Sequence, residues 1–347
     1  MKKLEEIIEE NIGDKKYLWI RIPTKKGNIF ERQDIGYILK EYFRLNNATV
    51  HCNITKPPQF VYVNRNKEVF FKIHPWIKKE LDHPNEIEFN PNWLFENKNQ
   101  IILHIPHSSI IIPEVFYQNN LQLKEDEVSD FNLAITDLYV DELFPTQKYM
   151  TIKAPLSRVY CDVERFEDDE KEEMSQYGMG VVYSKTHQGK KIFNLRKDYK
   201  EIVLSSYYRP YHEKLDEMIK ELTNFEDKKT ILIDCHSFSK DILIDKDEEE
   251  IPDICLSMDS NYFNEKLLNF TKSFFERHGY KVKVDFPYKG SMVPNYLIEN
   301  KKDNFASIMI EINKNLYLEK YERKTRGFTN LYSLLSFYLC FLETENI

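Results

Sequence analysis

The chain has 347 residues, of which 41% are hydrophobic, 14% aromatic and 31% charged, with a formal net charge of −8. That length suits two domains or one large domain with an extension, and the acidic balance argues against a general nucleic-acid binder. No stretch reaches the roughly 18 apolar residues that mark a membrane span, and the start, M-K-K-L-E-E-I-I-E-E, lacks the apolar core of a secretory leader.

Cys52, Cys161, Cys235, Cys255 and Cys340 are widely spaced and form no CxxC pair. Neither a zinc ribbon nor a disulfide framework is expected, and the protein reads as cytoplasmic.

Residues 1–95 differ in character from the remainder of the chain. Leu4 to Ile12 reads as a short amphipathic helix and Leu18 to Ile22 as a strand. Asp34 to Leu45 carries Ile35, Ile38, Leu39 and Phe43 at helical spacing. Phe60–Val63 and Val69–Ile73 flank Asn64-Arg65-Asn66-Lys67, a hairpin signal. The segment is expected to be a small α+β extension that packs beside the main domain, selects substrate or binds a partner. The main domain is expected over 96–347.

From Ile101 onward, strand and helix signals alternate. Ile101 to Ile105 is a buried strand, and Ser129 to Phe144 a helix that would set Asp137 and Asp141 on one face. Such paired acids usually form a solvated face, although Asp137 could instead turn inward as a metal ligand. Ala154 to Asp162 reads as a short strand with Arg158 and Arg165 around it. Ser206 to Leu222 is a helix whose His212 reads as a packing histidine. Thr230 to His236 is a central strand. Asn261 to His278 is a helix stopped by Gly279, and Lys281 to Phe286 is a strand ending in the loop Pro287 to Ser291. Ser307 to Ile310 is a strand, and Thr329 to Leu342 a closing helix. The alternation predicts an α/β fold: a three-layer α/β/α sandwich over a mostly parallel or mixed sheet.

Three of these strands share one design. Apolar runs end in His107-Ser108-Ser109, in Asp234-Cys235-His236-Ser237, and in Glu311-Ile312-Asn313. In open α/β sheets, ligands bind beyond the carboxyl ends of the strands. Two histidines and a carboxylate delivered there form a metal-competent set, with Asp234 as a residue that would orient a ligand histidine.

The motifs occur in a telling order. They are I-P-H-S-S at 105–109, T-D-L-Y-V-D-E-L-F at 136–144, S-R-V-Y-C-D-V-E-R at 157–165, Y-G-M-G-V-V-Y at 177–183, R-P-Y-H at 209–212, D-C-H-S at 234–237, P-Y-K-G at 287–290 and E-I-N-K-N-L-Y at 311–317. This series resembles the N-formylglutamate amidohydrolase family over about residues 100 to 345. The resemblance implies a fold similar to zinc carboxypeptidases and a metal-dependent amidohydrolase. It implies zinc held by His107, His236 and, by motif position, Asp137. Glu311 would be the general base, and Arg158 and Arg165 would meet a substrate carboxylate, with Arg158 also serving the reaction.

Ser108, Lys289, Gly290 and Asn313 are further substrate-contact candidates, with Asp234 and Ser237 behind the ligands. Two departures stand out. Ser109 replaces the family's glycine, and Glu164 replaces an asparagine, setting an acid beside the expected carboxylate site. The expected substrate is a small acidic N-acyl or N-formyl amino acid, with no nucleic-acid or membrane partner. A peptide or modified side chain selected by the extension, or a catalytically silent binding role, are the alternatives.

Overall fold

A computed structural model describes residues 6–12, 15–23, 68–73, 99–225, 228–239, 251–319 and 323–347. The chain divides into two compact units, Met1–Lys98 with Thr329–Asn346, and Asn99–Phe328 with Ile347.

In the first unit, β1 (Glu6–Ile12), β2 (Lys15–Pro23) and β3 (Glu68–Ile73) form an antiparallel sheet in that order. The helix expected over Leu4–Ile12 is therefore a strand, and β1 pairs with β2 from Glu6↔Arg21 to Ile12↔Lys15. Three isoleucines favour a pleated surface. Only Gly13-Asp14 separates the paired ends in sequence, a spacing that favours hairpins over continued helix. β3 pairs with β2. The helix expected over Asp34–Leu45 and the strand expected over Phe60–Val63 lie outside the described residues.

The second unit is α/β. Its elements run β4 (Asn99–Ile105), α1 (Glu114–Tyr117), α2 (Glu125–Ile135), α3 (Val140–Leu143), β5 (Met150–Lys153), α4 (Lys197–Val203), α5 (Arg209–Thr223), β6 (Lys229–Phe238), β7 (Ile254–Ser257), α6 (Glu265–Arg277), β8 (Val282–Val284), α7 (Asn295–Glu299) and β9 (Phe305–Asn313). A last helix, α8 (Arg326–Leu342), continues into the residues grouped with the first unit. None of the described helices is long and apolar enough to cross a membrane.

Six strands form one mixed sheet in the order β5-β4-β6-β9-β7-β8. β4, β5, β6 and β9 run parallel, while β7 runs antiparallel to β9 and parallel to β8. Burial along β6, β7 and β9 is nearly continuous rather than alternating, so both faces of the sheet are covered. On one face Ile102, Leu232 and Phe305 join Phe131 of α2 and Leu215, Ile219 and Leu222 of α5 in one core.

Three local expectations need correction. The helix expected over Ser129–Phe144 stops at Ile135. Thr136 closes it with its hydroxyl on the Asn132 carbonyl (2.7 Å), and Tyr139 takes a left-handed conformation, φ 63°, before α3. Asp137 and Asp141 therefore do not share a helix face, and Asp141 pairs with Lys153. The strand expected from Ala154 is β5, which ends at Lys153; turns carry 154–162. The helix expected from Ser206 begins at Lys197 and runs through one π turn, Leu204–Tyr208, into α5.

Leu232 is fully buried at the centre of this core. Leu232→Ala is expected to lower unfolding free energy by about 2–5 kcal/mol, as read from urea melts followed by circular dichroism.

Candidate active site

Strand register builds the site floor. Ile102 pairs with Leu232, and two residues on His104 pairs with Asp234. Asp234 pairs with Met309 and His236 with Glu311 on the next strand. Side chains two apart share a face. The apolar face of Ile102 and Leu232 thus becomes ionisable within two residues. A cavity of about 1220 Å³ opens above it, lined by His107, Asp137, Arg158, Glu164, Arg165, Asp234, His236, Glu311 and others, all within the second unit.

Asp162 is fully buried beside this floor. Its Oδ1 lies 2.7 Å from His107 Nε2 and accepts the Glu164 backbone N–H at 3.1 Å. Its Oδ2 accepts Arg158 Nε (3.1 Å) and Nη2 (2.8 Å), and the Tyr183 hydroxyl at 2.6 Å, with Arg165 Nε 3.6 Å away. Burial alone would raise this carboxyl, but Arg158 and His107 outweigh it and hold it well below the usual range. Burial pushes Tyr183 up to about 12, which keeps the phenol a donor.

With Nε2 engaged, His107 turns Nδ1 toward the cavity floor, where it makes no hydrogen bond. Asp137 Oδ2 lies 3.8 Å from that nitrogen and Glu164 Oε2 3.4 Å. His236 presents Nδ1 to Asp137 Oδ2 (3.1 Å) and Nε2 to Asp234 Oδ1 (3.0 Å) and Glu164 Oε1 (3.2 Å). Burial disfavours a charged His236, but Glu164 and Asp234 outweigh it and hold the ring well above its ordinary value. Asp137 is lowered, since His236 and His107 outweigh its burial.

Glu311, 7% exposed, has one carboxylate oxygen without a hydrogen-bond partner. Burial pushes its carboxyl up to about 8, with Asp137 and Glu164 adding to the rise. Among the described residues, His107, Glu164 and His236 form one group able to hold a metal ion, and His104, Glu164 and Asp234 another.

The N-formylglutamate amidohydrolase family matches residues 99–318. The chain belongs to this family. It is an enzyme that hydrolyses linear amides. The fold is similar to an N-formylglutamate amidohydrolase from Ralstonia eutropha JMP134, at 21% identity and a TM-score of 0.58 over 72% of this chain and 94% of that one. It is also similar to a gene product from Agrobacterium tumefaciens, at 20% identity and a TM-score of 0.50 over the same shares. No curated protein matches the chain.

The amidohydrolase cavity gathers most residues singled out in the sequence. His107, Asp137, His236, Glu311, Arg158, Arg165, Lys289, Gly290, Asp234 and Ser237 all line it. Gly290 needs its freedom, since its φ is +96° and its N–H donates to Ser257 Oγ (2.7 Å). Ser108 and Asn313 stand outside the lining. Ser108 is buried, and Asn313 accepts the Asn315 N–H and donates to the Pro252 carbonyl, which ties down the chain after β9.

Sequence reasoning does not single out Asp162, His104 or Lys314, nor Glu164 as a possible ligand. The one signal for Asp162 is its place four residues after Arg158 in an otherwise apolar stretch. Lys314, nearly buried, donates to the Thr136 carbonyl (2.6 Å) beside Asp137.

His212 is a packing residue. It is buried between the Tyr208 and Tyr211 rings, with Nε2 donating to the Val163 carbonyl at 2.9 Å. Burial pushes its pKa from 6.5 down to about 4. Because the folded value is depressed, the stabilisation is complete above pH 6.5 and is lost as pH falls through 4. On the order of 3 kcal/mol should disappear over that window. His212→Gln should flatten that part of the stability–pH profile, measured by urea unfolding between pH 4 and 7.

Proposed function

We propose that the chain hydrolyses the amide of a small N-formyl or N-acyl amino acid, using a divalent metal ion held by His107, Asp137 and His236. The observation that carries this reading is the state of His107. One ring nitrogen is pinned by the buried Asp162, and the other is buried, without a hydrogen bond, and turned to the space shared with Asp137 and His236. A carboxylate that fixes the far nitrogen of a ligand histidine is the usual support of a metal site. Two imidazoles and a carboxylate suit zinc, and iron or manganese accept the same donors. The ion would supply a water of pKa about 7 and polarise the scissile carbonyl.

The chain's own groups supply the rest. Glu311 takes the proton from the attacking water and returns it to the leaving amine, a role served by a carboxyl raised into the neutral range. Arg158 keeps its Nε edge on Asp162 and faces the cavity, where it stabilises the oxyanion and, with Arg165, receives the substrate carboxylate. Lys289 and Gly290 close the site from the loop after β8. Asp234 orients His236 through Nε2. The family match favours an N-formyl amino acid and lends no support to a peptide.

The test is elemental analysis and hydrolysis assays on protein purified without chelators. His107→Ala and His236→Ala are expected to lose the ion. Glu311→Gln is expected to keep it while kcat for N-formyl amino acids falls by about 10²–10⁴. A metal-free wild type that takes up no ion on titration, or a fully active Glu311→Gln, would sink the reading.

A further inference from the structure

His104 is fully buried beside the cavity, at 0% exposure, and it does not line the cavity. A histidine within a central strand, covered on both faces, needs strong partners for its ring. Register supplies one, because His104 of β4 stands opposite Asp234 of β6 on the same face. His104 Nδ1 lies 2.7 Å from Asp234 Oδ1 and 3.7 Å from Glu164 Oε1. These three residues offer ligand atoms that all lie within 4.8 Å of one another.

Glu164 belongs to both groups. Its Oε2 faces His107 Nδ1 at 3.4 Å, while its Oε1 faces His236 Nε2 at 3.2 Å and His104 Nδ1 at 3.7 Å. One carboxylate thus turns an oxygen to each side, the disposition of a bridging ligand in two-metal hydrolytic sites. Charge points the same way. Asp162 is matched by Arg158 and Arg165, whereas Asp137, Glu164 and Asp234 converge on the rings of His104, His107 and His236. Three carboxylates around one dication leave negative charge in excess, and buried charges persist only when paired or coordinated.

We propose a second divalent-cation site formed by His104, Asp234 and Glu164, set beneath the cavity floor and joined to the first through Glu164. The mixed imidazole and carboxylate donors suit zinc, manganese or cobalt. Since His104 does not reach the cavity, this ion acts on substrate only indirectly: it fixes Glu164 and Asp234, and through Asp234 the orientation of His236. The site rests on the hydrolase reading only in that Glu164, which also faces His107 and His236, would add a bridging oxygen to the ion held by His107, Asp137 and His236.

The experiment loads metal-free full-length chain with Mn²⁺ to saturation, followed by elemental analysis and electron paramagnetic resonance. Two ions per chain with an exchange-coupled spectrum are expected for the wild type. His104→Gln, checked for folding by circular dichroism, should hold one ion with the resolved hyperfine pattern of isolated Mn²⁺. Asp234→Asn serves as the second variant should His104→Gln not fold. Saturation of the wild type at one ion, with hydrolysis of N-formyl amino acids intact, overturns the second site alone and leaves His104 as a buried partner of Asp234. Two ions retained in both variants also overturn it. No ion at all in the wild type overturns the first site as well.

Discussion

The carboxylate of Asp162 is the constraint on which the amidohydrolase site depends. A buried anion is costly unless it is paired and hydrogen-bonded. Asp162 meets that demand with His107, Arg158, Tyr183 and the Glu164 N–H at once. In doing so it sets four directions. It points His107 Nδ1 into the cavity, aligns Arg158 edge-on, draws Arg165 near and places the start of Glu164. Charge-assisted bonds of this kind are short and directional, so the geometry around the metal-competent nitrogen is fixed before any ligand arrives. Neutralising the carboxylate would leave an Arg and a His buried without their anion, a larger loss than the pairs were worth when intact.

A second clamp fixes Asp137 from the other side. The segment that carries it leaves α2 after a last helical bond from the Thr136 N–H to the Asn132 carbonyl, and the chain after β9 holds the carbonyls that follow. Lys314 donates to the Thr136 carbonyl and the Tyr317 hydroxyl to the Leu138 carbonyl, one on each side of Asp137. The Asp137 N–H donates to the His107 carbonyl at 2.9 Å. The strand that delivers Glu311 thus holds the peptide delivering Asp137 through residues three and six positions further on. This gives the E-I-N-K-N-L-Y stretch a physical reason for its spacing, independent of Asn313.

Legibility in the sequence follows the range of the interactions involved. The central strands are readable because burial on both faces writes an uninterrupted apolar run, and the polar residues that end such runs are few. His107, His236 and Glu311 can be named for that reason. Asp162 is far harder to name, because two of its three side-chain partners lie 55 and 21 residues away and the one local mark is Arg158 four residues before it. The break after Ile135 is hidden because Val140, Leu143 and Phe144 continue an apolar pattern, while the groups that end the helix come from Thr136 and from Lys314 far along the chain. β1 misleads because Leu4, Ile7, Ile8 and Ile12 fall at helical spacing, and the decision falls to a neighbouring strand. Glu164 is visible as a departure from the family pattern, but its contact with both His107 and His236 is not.

The sheet ties stability and chemistry together through register. On one face of β4, β6 and β9 the side chains pass from Ile102 and Leu232 to His104, Asp234, His236 and Glu311 with no polar transition between them. The alternate positions Ile233 and Cys235 point to the other face. A slip of β6 by one residue would exchange the two sets, placing Ile233 and Cys235 on the cavity side and burying Asp234 and His236 among apolar neighbours. The apolar pairing that stabilises the core therefore also excludes the one-residue slips that would turn the site residues away from the cavity. Function here demands little extra structure, since the same parallel pairing of β4, β6 and β9 that closes the core sets His104 and Asp234 on one pair of strands and His236 and Glu311 on the next.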